Sequence, residues 1–286
     1  MPANYQAELV GVFGQPVAEN PTGVMQEAGF AAAGLNWRYL NFEVSAEKLG
    51  AAMQAMEALG VRGINLTIPH KVAVIEHLDD LSPEARAIGA VNTVRLDNGR
   101  KIGENTDGKG FLRGVRADAG MDPDGKRVVL LGAGGAARAI GTELVLAGAS
   151  DLLVVNRSAK RGETMVSDLL AATGGRVRFK QWEGTYPVPE TCDLFVNATS
   201  IGLYPDVDAM PAVDLSGAPD GMLVADVVFN PPETRLLAAA RKRGLPTLDG
   251  LSMLVYQGVI AFEMWTGQSP DEAAMKSALR AALAEG

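Results

Sequence analysis

The chain is 286 residues long, 47% hydrophobic and 21% charged, with 33 glycines, the composition of an ordinary globular α/β protein with room for two domains. Its net charge of −8, with no basic block, argues against nucleic acid and anionic membrane surfaces as partners. No apolar run reaches the ~18 residues that a membrane helix requires, no secretory signal pattern is visible, and the single Cys192 cannot pair internally; a cytoplasmic protein is expected.

Residues 7–13 read as a buried strand ending at Gly14-Gln15-Pro16, and Val24–Ala33 as a helix stopped by Gly34, a residue suited to the position after a helix end. Trp37–Val44 is a second strand, Ala46–Leu59 a helix closed by Gly60, and 62–68 a third strand. Alternation there places Ile64, Leu66 and Ile68 on one face and Asn65 and Thr67 on the other. Pro69 ends the ladder, and Lys71 emerges where loop turns to helix. This βαβ rhythm predicts a parallel-rich sheet flanked by helices.

A second unit starts at Lys126: a strand at Arg127–Leu131, a glycine-rich loop, a helix through Ala147 ended by Gly148, then strands at Leu152–Val155, Leu194–Asn197 and Met222–Val228. Thr234–Arg243 reads as a helix, and the chain is helical again from Gly250, with Gln257 on the first turns of that helix. His70 and His77 have no third ligand cluster, CxxC or HExxH near them, so no metal is expected. Cys192 leads into an apolar strand and reads as a small packed residue, not a nucleophile.

Chemistry concentrates in three polar motifs, Gly63–Lys71, Gly89–Thr93 and Glu104–Gly108. Amides, hydroxyls, one lysine and one aspartate upstream of a nucleotide loop describe a polyhydroxylated substrate beside a nicotinamide. The loop itself reads Gly132-Ala133-Gly134-Gly135-Ala136-Ala137-Arg138 between strand and helix. Gly132 allows the tight turn, and Gly134 lets backbone amides approach a pyrophosphate at the helix N-terminus. An NAD site usually has an acid at the end of the next strand; this chain has Asn156-Arg157-Ser158, with Lys160 and Arg161 close by. Cations and donors suit a 2′-phosphate, so NADP is expected over NAD.

Together these segments resemble the shikimate dehydrogenase family, which includes quinate/shikimate dehydrogenases. The resemblance rests on Gly-x-Pro at 14–16, Asn-x-Thr-x-Pro-x-Lys at 65–71, Gly-Ala-Val-Asn-Thr at 89–93 and Asn-Thr-Asp-Gly at 105–108. It continues through the glycine loop, Asn-Arg-Ser at 156–158, Asn-Ala-Thr-Ser at 197–200, Asn-Pro-Pro-Glu-Thr at 230–234 and Asp-Gly-x-x-Met-Leu-x-x-Gln at 249–257. It implies a substrate-binding domain over 1–108 completed by C-terminal helices at 250–286, and a Rossmann NADP-binding domain over 109–249. It also implies NADP-dependent interconversion of 3-dehydroshikimate and shikimate in aromatic amino acid biosynthesis (the chorismate pathway), by a monomer or homodimer. Lys71 and Asp107 would then form the catalytic pair. Thr67, Asn92 and Gln257 would bind ring hydroxyls, and Thr199 and Gly250 would join the glycine loop, Asn156, Arg157, Ser158 and Arg161 around the cofactor. Free lysine titrates near ~10.4, too high for an efficient neutral base, so Lys71 suits proton donation in the ketone-reducing direction.

The chain departs from the family at the end that should grip a carboxylate. The family usually carries His-Ser-x-Ser-Pro there, whereas this chain reads Glu19-Asn20-Pro21-Thr22-Gly23, and Phe229 stands where a tyrosine is common. Either Glu19 points to solvent while Asn20 and Thr22 substitute and the substrate is shikimate or quinate, or the pocket takes a neutral cyclic polyol or keto-sugar. Ser252, often glycine in the family, is expected to alter packing near the nicotinamide, and Lys109 to be a solvated residue at a helix start. A non-catalytic NADP sensor would keep the glycine loop and lose the Lys/Asp pair, yet both residues are present.

Overall fold

A computed structural model describes residues 5–285. The chain divides into two compact units, Met1–Thr106 with Gln257–Gly286, and Asp107–Tyr256. The sequence expectation divides the chain at 108 and 250; by packing, the cuts fall inside two helices.

The first unit holds β1 (Glu8–Gly14), α1 (Thr22–Ala32), β2 (Trp37–Glu43), α2 (Leu49–Ala58), β3 (Val61–Leu66), α3 (His70–Ala73), β4 (Asp80–Leu81), α4 (Pro83–Ile88), β5 (Thr93–Asp97) and β6 (Arg100–Glu104). Its sheet runs β2-β1-β3-β5-β6-β4. β1 pairs in parallel with β2 and β3, but β3–β5 and β5–β6 are antiparallel, so the sheet is mixed. The β5–β6 hairpin, closed by Asn98 at φ 51° and Gly99 at φ 80°, has the Asn-Gly signature of a tight turn.

β3 lies in the middle of this sheet, and Gly63, Ile64, Asn65 and Leu66 are all buried. It stops at Leu66, two residues before the expected end, and Ile68 is 72% exposed instead of sharing the buried face. The reason is a tight turn forced before Pro69, which cannot donate to a ladder: Thr67 N donates to Phe13 O, and His70 N returns to Thr67 O at 2.8 Å. One face of the sheet packs Leu49, Met53 and Met56 of α2 against Ile64, Leu66 and Val94. The other face packs Phe30 of α1 against Val10, Val12, Phe262 and Trp265, with the Phe30 and Phe262 rings stacked at 5.2 Å.

The second unit takes in α5 (Thr106–Ala117), β7 (Arg127–Leu131), α6 (Gly135–Leu146), β8 (Asp151–Asn156), α7 (Ala159–Thr173), β9 (Val177–Gln181), β10 (Tyr186–Pro187), β11 (Leu194–Asn197), β12 (Val213–Asp214), β13 (Leu223–Asp226), α8 (Arg235–Lys242) and β14 (Thr247–Leu248). The main sheet runs β14-β13-β11-β7-β8-β9, parallel throughout. That is the Rossmann order, with its switch point between β7 and β11, where open α/β sheets bind ligands. Apolar clusters cover both faces, one around Leu130, Ile140 and Leu152, the other around Leu131, Phe195 and Leu236. Such two-sided burial explains why these strands read as continuous apolar runs.

α9 (Gly250–Thr266) begins in the second unit and ends in the first, where α10 (Glu272–Glu285) follows. Within the first unit, Trp265 Nε1 donates to Val94 O at 3.1 Å, beside Gly63. A β-carbon at Gly63 would collide with the Trp265 indole and lie 2.6 Å from Val94 O. Gly63→Ala is therefore expected to lower stability by about 2–3 kcal/mol, read as an earlier urea midpoint with an unchanged m-value. An unaltered midpoint would show that the indole yields without penalty.

Candidate active site

In the first unit, the first two polar motifs and the Asn105–Thr106 part of the third form one hydrogen-bonded body. Asn65 is a buried amide in a strand enclosed on both faces, so its polar atoms need partners. Tyr39 OH donates to Asn65 Oδ1 at 2.8 Å, and Asn65 Nδ2 donates to Thr93 Oγ1 at 2.9 Å and Asn92 O at 3.2 Å. Asn92 passes the connection on: its Oδ1 accepts from Thr106 N at 2.7 Å, and its Nδ2 donates to Thr106 Oγ1 at 3.0 Å. Asn105 Nδ2 adds a bond to Ala90 O at 3.0 Å. Burial pushes the Tyr39 phenol well above its ordinary range, so it serves as a neutral donor.

Val91 N donates to Lys71 O at 2.7 Å, tying α3 to the 89–93 segment. Lys71 and Thr67 are half-buried, whereas Asn92 and Gln257 are buried. Sequence reading placed Asn65 with Thr67 on the face opposite Ile64 and Leu66 and gave Tyr39 no role. A lone asparagine between apolar residues was the available signal for the first. His70 is fully buried with Nε2 on Val44 O at 2.7 Å, while His77 faces Glu76. The described residues contain no cluster of metal-ligating side chains.

The 17–22 segment is organised by amides. Asn20 Oδ1 accepts from Thr22 N at 3.0 Å, and Asn41 Nδ2 donates to Val17 O and Asn20 O, both at 3.1 Å. Thr22 is buried and Glu19 is exposed. No lysine or arginine lies between Gly14 and Gly23.

In the second unit, Asp107 is half-buried in the first turn of α5. Gly108 allows that helix to approach the Ala139 backbone of α6. Gly132, at φ +109°, sits so near β11 that a β-carbon there would lie 2.8 Å from Ala198 O. Beyond it, Gly134 is the N-cap of α6 with no side chain capping the helix. A β-carbon at Gly134 or Gly135 would meet nothing within 4 Å. Open space before the bare amides of a helix N-terminus fits a pyrophosphate. Ala133 and Ala136, both half-buried, complete this turn. At the end of β8, Asn156 Nδ2 holds Ser158 O at 2.9 Å and Ser158 caps α7, leaving Arg157 and Arg161 exposed. The edge carries cations and no acid, which suits a 2′-phosphate.

Thr199 uses its hydroxyl within its own loop, donating to Asn197 Oδ1 at 2.7 Å. Gly250 is needed for close packing on the Val228 carbonyl. Phe229 and Lys109 are half-buried, and Lys109 lies inside α5. Ser252 joins Tyr256 on Asp118 in a small polar cluster that ties α9 to the end of α5. Its effect on packing therefore falls between two helices. Cys192 is buried, donates to Leu194 O at 3.2 Å, and has its thiol pushed up to about 12 by burial, which removes it as a nucleophile.

Known proteins place this geometry. Residues 12–94 match the shikimate dehydrogenase substrate binding domain, 117–201 the shikimate / quinate 5-dehydrogenase family, and 250–280 the shikimate 5′-dehydrogenase C-terminal domain. Shikimate dehydrogenase (NADP(+)) of Methanopyrus kandleri is 42% identical, the alignment covering 96% of this chain and 95% of the relative. The chain belongs to the shikimate dehydrogenase family. A ligand-free 5-ketofructose reductase of Gluconobacter sp. strain CHM43 superposes with a TM-score of 0.93 at 46% identity, covering 97% of this chain and 99% of that one. A shikimate dehydrogenase in complex with NADP+ gives 0.91 at 36% identity, covering 98% and 97%. No helix among the described residues is long and apolar enough to cross a membrane.

Replacing Arg157 and Arg161 together by alanine is expected to weaken NADPH binding at least ~10-fold, on the scale of one lost charge-assisted phosphate contact, while NADH binding stays within ~2-fold. Fluorescence titration of both nucleotides checks this. Equal weakening of both would show that the two arginines do not read the 2′-phosphate.

Proposed function

We propose that the chain catalyses the reversible NADP-dependent reduction of 3-dehydroshikimate to shikimate, a step of aromatic amino acid biosynthesis. The observation that supports this reading is the single buried hydrogen-bond body joining 65–71, 89–93 and 105–106. Preorganised polar groups of this kind favour a reaction geometry because they need no rearrangement on binding. Bound NADPH supplies the hydride for the carbonyl carbon. The Lys71 ammonium delivers the proton to the carbonyl oxygen and is recharged from solvent, and in the reverse direction the neutral Lys71 amine accepts the hydroxyl proton and releases it to solvent. Asp107 orients the lysine and the reacting oxygen, while Thr67, Asn92 and Gln257 fix the ring by its hydroxyls. Asn20 and Thr22 offer an amide and a hydroxyl to the acid end of the ring.

A second reading is a neutral polyhydroxy ketone, and a specific observation favours it. The 14–23 segment has no cation and no serine, and Phe229 supplies no hydroxyl. A carboxylate held in a partly desolvated pocket needs such donors. The 46% identical 5-ketofructose reductase acts on a substrate of this uncharged kind.

Initial rates with NADPH against 3-dehydroshikimate and 5-ketofructose separate the two readings. Preference for 3-dehydroshikimate supports the biosynthetic one; turnover of the uncharged ketone alone rejects it. For either substrate, Lys71→Ala is expected to lower kcat by ~10²–10⁴-fold, the scale of a lost general acid, with NADPH affinity nearly intact. Parallel loss of both would sink the proton-donor role.

A further inference from the structure

Asp226 is 1% exposed at the last position of β13 and is absent from the chemistry above. Its three partners are neutral donors. Asn197 Nδ2 at 2.9 Å and Val228 N at 3.1 Å donate to Oδ1, and Thr234 Oγ1 at 2.7 Å donates to Oδ2. Burial raises its carboxyl to about 6, so it is largely ionised at pH 8 without a cation beside it. A buried carboxylate without a counter-ion is costly, which directs attention to what its hydrogen bonds hold.

The register across the sheet supplies the answer. Asp226 pairs with Asn197 of β11, and Asn197 pairs with Leu131 of β7, the residue before Gly132. Three adjacent strand ends at the switch point are thus aligned, about 5 Å apart from strand to strand. Asn197 faces both ways along this line. Its Nδ2 gives its hydrogen to Asp226, which leaves Oδ1 pointing into the next loop, where it accepts from Thr199 N at 3.2 Å and Thr199 Oγ1 at 2.7 Å. Thr199 Oγ1 then accepts from Ile201 N at 3.2 Å. The turn so fixed is the one that abuts Gly132, where an added β-carbon would meet Ala198 O at 2.8 Å and Thr199 Cγ2 at 3.3 Å.

We propose that Asp226 is a positioning residue for the nucleotide loop: Oδ1 orients the Asn197 amide, and Asn197 holds the Ala198–Thr199 turn against Gly132. The proposal rests on the reading of Gly132–Ala136 as the NADP site. The operative atom is the Oδ1 acceptor, not the negative charge, since Oδ2 serves only Thr234. An asparagine at 226 keeps a carbonyl for Asn197 and Val228 and turns its amide toward the Thr234 hydroxyl, which also accepts hydrogen bonds.

The test is NADPH binding to the full chain at pH 8, measured by fluorescence titration without substrate, alongside amide exchange of Thr199 and Ile201 in the nucleotide-free protein. Asp226→Ala is expected to raise Kd at least ~10-fold and to speed exchange at both amides, whereas Asp226→Asn stays within ~3-fold of wild type on both measures. Thr234→Val cuts the other arm of the network; it is expected to lower Tm while leaving Kd within ~3-fold. Should Asp226→Ala not fold, Asp226→Ser, too short to reach Asn197 Nδ2, is read in its place. Unchanged affinity in the alanine or serine variant, or equal loss in Asp226→Asn, overturns the proposal. Wild-type protein that binds no NADPH overturns the NADP reading instead.

Discussion

The constraint on which the first unit depends is a polar amide in a strand buried on both faces. Asn65 cannot reach water, so the fold brings it the Tyr39 hydroxyl from β2, the Thr93 hydroxyl from β5 and the Asn92 carbonyl. Meeting that need sets the spacing between β3 and its antiparallel neighbour. It also delivers Asn92 to Thr106, where the first unit hands the chain to α5. A half-satisfied buried network is worse than an apolar core, so these residues stand as a group. The turn at Thr67–His70 follows from the same strand ending, and Lys71 owes its place on α3 to that turn.

The second unit follows a different logic. The buried stretches of its central strands are apolar, and the polar groups that face the site stand at their carboxyl ends: Gly132, Asn156, Asn197 and Asp226 each lie at or just past the last residue of a strand. The interior stabilises the sheet, and the edge holds the chemistry. Glycine matters where one strand's loop meets the next. At Gly132 both the positive φ and the approach of Ala198 exclude a side chain.

Much of this was legible in the sequence. The strand–glycine loop–helix at 127–146 announced itself by an apolar run and punctuation, and the end of β8 displayed its cations directly. Other features were not legible, for physical reasons. The β5–β6 hairpin is short and mostly polar, and its Asn98-Gly99 turn lies among motif residues that drew a chemical reading. Ile68 fitted the period of β3, yet the turn before Pro69 overrode the alternation. Ser252 stood out as a departure from the family pattern, but the sequence could not show its partner, Asp118, 134 residues away. Long-range pairings of this kind leave no local trace. The partition at 106/107 and 256/257 was hidden for a related reason: α5 and α9 continue through it, and helical periodicity carries no mark of which body a turn packs against.

The shared helix α9 has a consequence for how the protein is made. The first unit needs Phe262 and Trp265, which fill one face of its sheet, and α10, whose Met275 rests on Gly29 of α1. These residues leave the ribosome only after the whole second unit. The segment that carries β1 and α1 therefore has that apolar face uncovered while the Rossmann unit between the two parts of the first unit is translated. The intervening unit is continuous in sequence, so every residue of its core is available before those of the first unit are. For the length of that delay, the nascent chain exposes Val10, Val12 and Phe30, a surface for chaperones rather than for substrate.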